Sequence, residues 1–476
     1  MDRLLKSGRI RPADAKTIGP SRIGLGFEKL DRRAFEPENA YAPVAATGVH
    51  YIRLQSGWQR TERVKGVYDF AWLDELVDRF IAQGQEPWIC LCYGNDLYTE
   101  EAAQYFGAVG CPPIHTEEEK QGWAAYVRAL VEHFHTRVSW WEVWNEPDGQ
   151  WCWKHGVSAS EYAVFAMETA DVIHAADPEA KVIAGVLCNV NLPYTREMLD
   201  CGLADHVEAL SFHRYMADEL DSLQQIRALR ALISRYSPWL QIIQGESGTQ
   251  SDSRGAGALR GGAWNEVKQA KYLLRHRLID LASEVTFTSH FTAMDMIEAL
   301  NGTSNDKASW QDFGYFGVLH AEFDENGIAS GTYTPKLSYR ALQHLTALFP
   351  EDVMPCDLPV IRKVEPSPRV FGTDDASSQL VMLGFEKQSG AQALAFWKAA
   401  DLMRETYEGT VSLALPGEER PMELIDLMSG VIYTLPDSMK ISSENGVILL
   451  KNLPLTDTPY LLTFGEFVSP DRRMEV

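Results

Sequence analysis

The segment Trp140–Trp153, WWEVWNEPDGQWCW, sets Asn145 and Glu146 directly ahead of Pro147 and holds five of the chain's 13 tryptophans. A second carboxylate, Glu246, ends the apolar run LQIIQGESGT. Two acids at two strand ends that open on one mouth can divide the work of glycosidic cleavage. One, protonated, donates to the leaving oxygen; the other, ionised, attacks the anomeric carbon or activates water. A lone strand-end Glu is more often a solvated or ion-paired surface acid, but the pairing and the Asn-Glu-Pro setting favour chemistry here. Trp144, Trp151 and Trp153 offer flat apolar walls suited to the face of a sugar ring, although any single Trp is more often core.

These acids need strands to hold them. Short apolar runs alternate with amphipathic stretches from about residue 20 to 350, which predicts parallel strands with helical crossovers. The strands are Arg22–Phe27, His50–Leu54, Pro87–Cys92, Val138–Asn145, Lys181–Val186, Val207–His213, Leu240–Gly245 and Val285–Thr292; helical patterns between them include Phe70–Gln83, Gln121–Phe134 and Ser160–Ala175. Eight such units match a (β/α)8 TIM barrel over residues 21–350, whose catalytic face lies at the strand C-terminal ends. A doubly wound open sheet is the alternative, but no G-x-G-x-x-G follows the first strand. Beyond Pro350, short strands at intervals of about ten residues predict an antiparallel β-sandwich over 351–476, after a proline-rich linker at 350–368. Residues 1–20 read as an N-terminal extension.

The composition narrows the function classes. Lys+Arg 44 against Asp+Glu 66 leaves a net charge of −22, which repels nucleic-acid phosphates and anionic lipid heads. The opening residues lack the apolar core of a secretory signal, no run suits a membrane span, and a cytoplasmic location is expected. The 7 cysteines form no C-x-x-C pair and are expected to be free thiols, with Cys90 and Cys92 buried as small hydrophobes. No metal or organic cofactor is implied.

WEVWNEP, with an aromatic-Trp pair soon after it (Trp151, Trp153), resembles the retaining glycoside hydrolases of clan A, most closely family 39, which includes β-xylosidases and α-L-iduronidases. DPEAKVIAG, HVEALSFHRY, FGYFGVL with TPKLSYRALQHLTALF, and the late GVILLKNLPLTDTPYLLTF are weaker echoes of the same family. The resemblance implies Glu146 as acid/base, Glu246 as nucleophile and Asn145 as partner of the sugar 2-hydroxyl. It also implies Arg53 as the orienter of the nucleophile, with a structural salt bridge as the rival role, and His213 and Tyr215 as lining of the −1 subsite. Two departures stand out. Glu246 is flanked by Gly245 and Ser247-Gly248, and the eighth strand offers Ser289, His290 and Phe291 where clan members carry a Trp. His290 is accordingly expected to face substrate, while Glu142 is expected to be a buried acid paired with an Arg. Glu28, Asp96 and Asp295 are expected at the surface.

The expected activity is retaining hydrolysis of a short oligosaccharide or glycoside, exo-acting on a β-linked, xyloside-like sugar. Endo-hydrolysis of a polysaccharide and a non-catalytic sugar-binding barrel are the rivals. The expected partner is a carbohydrate substrate; self-association into a homo-oligomer stays open.

Overall fold

The computed structural model describes residues 4–298, 312–365, 380–403, 406–416, 420–442 and 446–475. Eight strands close into a barrel: β1 (Ile23–Gly26), β2 (Tyr51–Gln55), β3 (Glu86–Leu91), β4 (Trp140–Val143), β5 (Lys181–Leu187), β6 (Ala209–His213), β7 (Gln241–Glu246) and β8 (Thr288–His290). Every neighbouring pair is parallel, and β8 closes on β1 through Thr288 opposite Ile23. A helix follows each strand in turn: α1 (Tyr41–Ala45), α2 (Ala71–Ala82), α3 (Glu117–Phe134), α4 (Ala159–Ala176), α5 (Leu192–Asp200), α6 (Leu220–Ile233), α7 (Glu266–Leu281) and α8 (Leu337–Leu348).

Local sequence explains where these elements begin and end. In α2 the buried residues Leu73, Leu76, Val77 and Phe80 fall at helical spacing on one face, each worth about 1.5–3 kcal/mol on burial. The capping box of Thr116 and Glu119 starts α3 four residues ahead of the sequence expectation, because its first turn is all acid and carries no apolar signal. Ser158 caps α4, and Asp177 ends it ahead of Pro178. β4 and β8 are shorter than expected at both ends; at the C-terminal ends the chain leaves the ladder to build the mouth.

Toward the strand N-terminal ends, Tyr51, Trp88, Trp140, Ile183, Ala209, Ile243 and Phe287 pack as one cluster that plugs the barrel. The polar residues of the mouth therefore stand on an apolar floor. Among the described residues, no helix is long and apolar enough to cross a membrane.

The second unit is a pair of antiparallel sheets around one core. The larger runs in the order Val353–Pro355, Leu380–Lys387, Gln392–Lys398, Tyr460–Phe464, Met422–Asp426, Val431–Thr434, Leu5–Ile10, Arg473–Met474. The smaller joins Ile361–Glu365, Glu408–Pro416, Val447–Thr456 and Lys440–Ser442. Leu394, Phe396, Leu424 and Leu462 of one sheet meet Leu413, Leu415, Leu450 and Leu453 of the other. Within the first twenty residues, Leu5–Ile10 is a strand of this sandwich, and within the proline-rich stretch Pro355 lies on an edge strand, where a missing N–H costs nothing.

The two units are fastened through α7 and the start of α6. Arg275 donates to the carbonyls of Asp457 and Ala400, each at 2.8 Å, and Trp397 donates to Glu219 at 2.9 Å.

Candidate active site

Glu146 and Glu246 leave the C-terminal ends of β4 and β7 and meet over the barrel mouth. The backbone at Trp144 and Glu146 is left-handed, with φ of 69° and 47°, a conformation that costs about 1–2 kcal/mol per non-glycine residue. Three bonds hold it. The amide of Glu146 donates to Val186 at 2.9 Å, that of Trp144 to Leu91 at 3.0 Å, and the Trp144 indole to the carbonyl of Cys152 at 2.7 Å. Val186 is presented by a bulge in β5, where Gly185 takes a φ of 81° and the register with β6 shifts.

Arg53, on β2, is the hub. Its fully buried guanidinium makes a two-pronged pair with Glu142 (2.9 and 3.0 Å), donates to Asn145 at 2.9 Å and Glu28 at 3.3 Å, and reaches Glu246 at 2.7 Å. Both roles weighed from the sequence therefore occur in one side chain: it pairs with the buried Glu142 and grips Glu246. The Trp88 indole, at 2.7 Å from Glu142, completes that acid's surroundings.

Each of the two mouth carboxylates is held at both oxygens. Tyr215 donates its hydroxyl to the Glu246 oxygen that Arg53 does not take. Nδ1 of His213 lies 3.0 Å from one oxygen of Glu146, and the indole of Trp151 donates to the other. A ring nitrogen of His213 and one oxygen from each glutamate all lie within 4.8 Å of one another. Such a trio has the donor set of a cation site, but the Arg53 guanidinium already supplies positive charge to the Glu246 oxygen.

The charges divide in one direction. Burial pushes the Glu246 carboxyl up, but His213, Arg53, the Tyr215 hydroxyl and Lys29 outweigh it and hold the group below the ordinary carboxylate range. Burial pushes the His213 imidazole down, and Glu246 with Glu146 more than reverses that, so its proton is held more tightly than usual. Burial, then the Glu246 charge, push the Tyr215 phenol well up and keep it a donor. A carboxylate so stabilised is ionised at neutral pH.

Three expected sugar-facing residues lie elsewhere. Trp144 and Trp153 are fully buried and pack on each other and on Phe165; in this tryptophan-rich loop only Trp151 stands 51% exposed. The strand ends at Val143 and the chain curls back, which turns these two rings into core. His290 is also fully buried, neither ring nitrogen has a hydrogen-bond partner, and burial, then Arg277 and Lys336, hold it neutral. The wall beside Glu246 is made instead by Tyr215, Phe291 and Phe316, with centroids 5.3–6.2 Å apart.

Glu28, expected at the surface, is buried in the mouth beside Arg53. Its position at the end of the first strand carried the same signal as Glu146 and Glu246. Asp295 is likewise buried, against Lys336, whereas Asp96 is exposed as expected. Lys29 and Glu298 form a further pair at 2.9 Å on the rim.

The model of glycosyl hydrolases family 39 matches residues 46–412. A β-xylosidase of Geobacillus stearothermophilus is 24% identical over 326 residues, 60% of this chain and 62% of the relative, so the match spans less than two thirds of that protein. A family 39 glycoside hydrolase from the gut symbiont Bacteroides cellulosilyticus WH2 superposes with a TM-score of 0.65 at 17% identity, covering 94% of this chain and 82% of that one. A monomeric β-xylosidase from Caulobacter crescentus CB15 superposes with a TM-score of 0.59 at 18% identity, covering 96% and 98%. With the family match running from ahead of β2 through the rest of the barrel and into the sandwich, this chain belongs to glycosyl hydrolases family 39.

Proposed function

We propose that the protein is a retaining, exo-acting glycosidase for a β-linked, xyloside-like sugar. One observation carries the reading: carboxylate oxygens of Glu146 and Glu246 lie within 4.8 Å of each other. Retaining enzymes keep the two carboxyls about 5–5.5 Å apart, whereas inversion needs about 6.5–9.5 Å to admit a water. The xyloside preference is supported by the β-xylosidases among the similar proteins.

Glu246 attacks the anomeric carbon while Glu146 protonates the departing oxygen. A covalent glycosyl-enzyme then forms on Glu246, and Glu146, now ionised, takes a proton from the water that releases the sugar. Arg53 and Tyr215 keep Glu246 ionised and aimed, and Asn145, fixed by Arg53, faces the sugar hydroxyl next to the reacting carbon. The reading includes a cytoplasmic location, which the seven free thiols support.

Incubation with a dinitrophenyl 2-fluoro-xyloside tests the mechanism: the expected result is one sugar mass added to the Glu246 peptide. No adduct, together with no hydrolysis across a panel of pyranosides and furanosides, favours the sugar-binding barrel instead. Product length on xylo-oligosaccharides separates exo from endo action.

A further inference from the structure

Glu28 takes no part in the double displacement, yet the fold makes room for it. A Cβ on Gly26 would lie 2.2 Å from its carboxylate, so the glycine two residues earlier leaves the space that this acid fills. Its Oε1 meets Nη1 of Arg53 at 3.3 Å, and that same Nη1 meets Glu246 at 2.7 Å. We infer that Glu28 is a positioning residue that competes with Glu246 for one nitrogen of Arg53, so that its protonation state sets how tightly the nucleophile is held.

This inference rests on the proposed role of Glu246. The groups facing Glu28 are Arg53 from β2, the Glu246 charge from β7, the Tyr215 phenol beyond β6, and the Thr292 hydroxyl beyond β8 at 3.4 Å; Glu142 of β4 draws on the same guanidinium, and Lys29 adjoins in sequence. Burial, only partly offset by Arg53 and reinforced by Glu246, lifts the Glu28 carboxyl to about 7. Nη1 carries two N–H groups and reaches both acids at once, so the competition is for its charge: below that pH a neutral Glu28 draws less on the guanidinium and leaves more of its field to Glu246. Above it, a second negative charge loosens the grip on the nucleophile and favours the positive charge developing at the anomeric carbon.

The test is the pH dependence of covalent labelling by a dinitrophenyl 2-fluoro-xyloside, whose leaving group needs no acid. In the wild type the labelling rate is expected to rise about three- to tenfold across an inflection near pH 7. Glu28→Gln should be flat at the low-pH rate. Gly26→Ala, which displaces the carboxyl without removing it, should also lose the inflection; circular dichroism checks that both variants fold. His213 and Glu146 are present in all three proteins, so an inflection that survives in Glu28→Gln belongs to a group other than Glu28 and overturns the inference, as does a flat wild-type profile. The site of the label reports separately on the mechanism. An adduct on Glu246 with unchanged pH profiles removes Glu28 alone, whereas an adduct on another residue removes Glu246 as nucleophile and this inference with it.

Discussion

The half-exposed indole of Trp151 donates to the oxygen of Glu146 that His213 leaves free. An indole N–H only donates, so the carboxyl oxygen it meets is an acceptor in this arrangement and carries no proton itself. A leaving-group oxygen that is to receive a proton from the same carboxyl oxygen must turn the indole aside. Trp151 thus joins leaving-group binding to the state of the acid.

Trp151→Phe keeps the ring and removes the N–H. On a glycoside with an alcohol or sugar leaving group, kcat/KM should fall about tenfold, the scale of one hydrogen bond to a charged group at a partly solvated site. On a dinitrophenyl glycoside the fall should be less than twofold. Equal losses on both substrates would assign Trp151 to general binding.

The roles of the two acids separate by azide rescue. Glu146→Ala should still form the glycosyl-enzyme from a dinitrophenyl glycoside, break it down slowly, and regain turnover with azide as a glycosyl azide of retained configuration. Glu246→Ala should give at most the inverted azide. The product anomers, read by NMR, would exchange between the variants if the assignment were reversed.

Thermal stability should follow pH through two groups of opposite sign. His213 binds its proton more tightly folded than unfolded, so its contribution is full below its unfolded value of about 6.5 and is lost as pH rises through the higher folded value. Glu246 is depressed, so its contribution is present above about 4.3 and is lost as pH falls through its folded value. Glu28, lifted to about 7, works against the fold as pH rises from its unfolded range to 7. Melting scans of Glu28→Gln should therefore show a higher Tm than the wild type at pH 8, and no gain at pH 4. A gain at pH 4 as large as that at pH 8 would contradict the sign of the Glu28 shift.

Trp144→Ala and Trp151→Ala should fail in different ways. Loss of the buried Trp144 leaves a cavity and should cost about 3–5 kcal/mol of stability in a denaturant titration. Loss of the half-exposed Trp151 should leave the unfolding midpoint nearly unchanged and lower activity.

The site was legible where chemistry and strand ends coincide. Glu146 before Pro147 and Glu246 after an apolar run announced themselves, and Arg53, Asn145, His213 and Tyr215 join them in the folded mouth. Glu28 stands at a strand end too, but as a single acid it carried no partner in sequence; only barrel closure, which sets β1 beside β8 and β8 beside β7, brings it near Glu246. Trp144 and Trp153 misled because the sequence shows that a loop is aromatic and not which way the backbone turns after Val143. The left-handed residues at Trp144 and Glu146 have no glycine to mark them.

The strand Leu5–Ile10 splits the sandwich in sequence. Ser7 bonds to Ile432 across 425 positions, and Arg9 pairs with Met474, so the whole barrel is threaded between the first strand of a sheet and the remaining ones. The larger sheet cannot close during synthesis until its last strands have been made, whereas the barrel can fold before then. A cut at the end of α8 would leave Leu5–Ile10 on the barrel side without its neighbours and open a gap in the sheet. Joining the two ends and reopening the chain between the units would instead yield a sandwich encoded in one uninterrupted stretch.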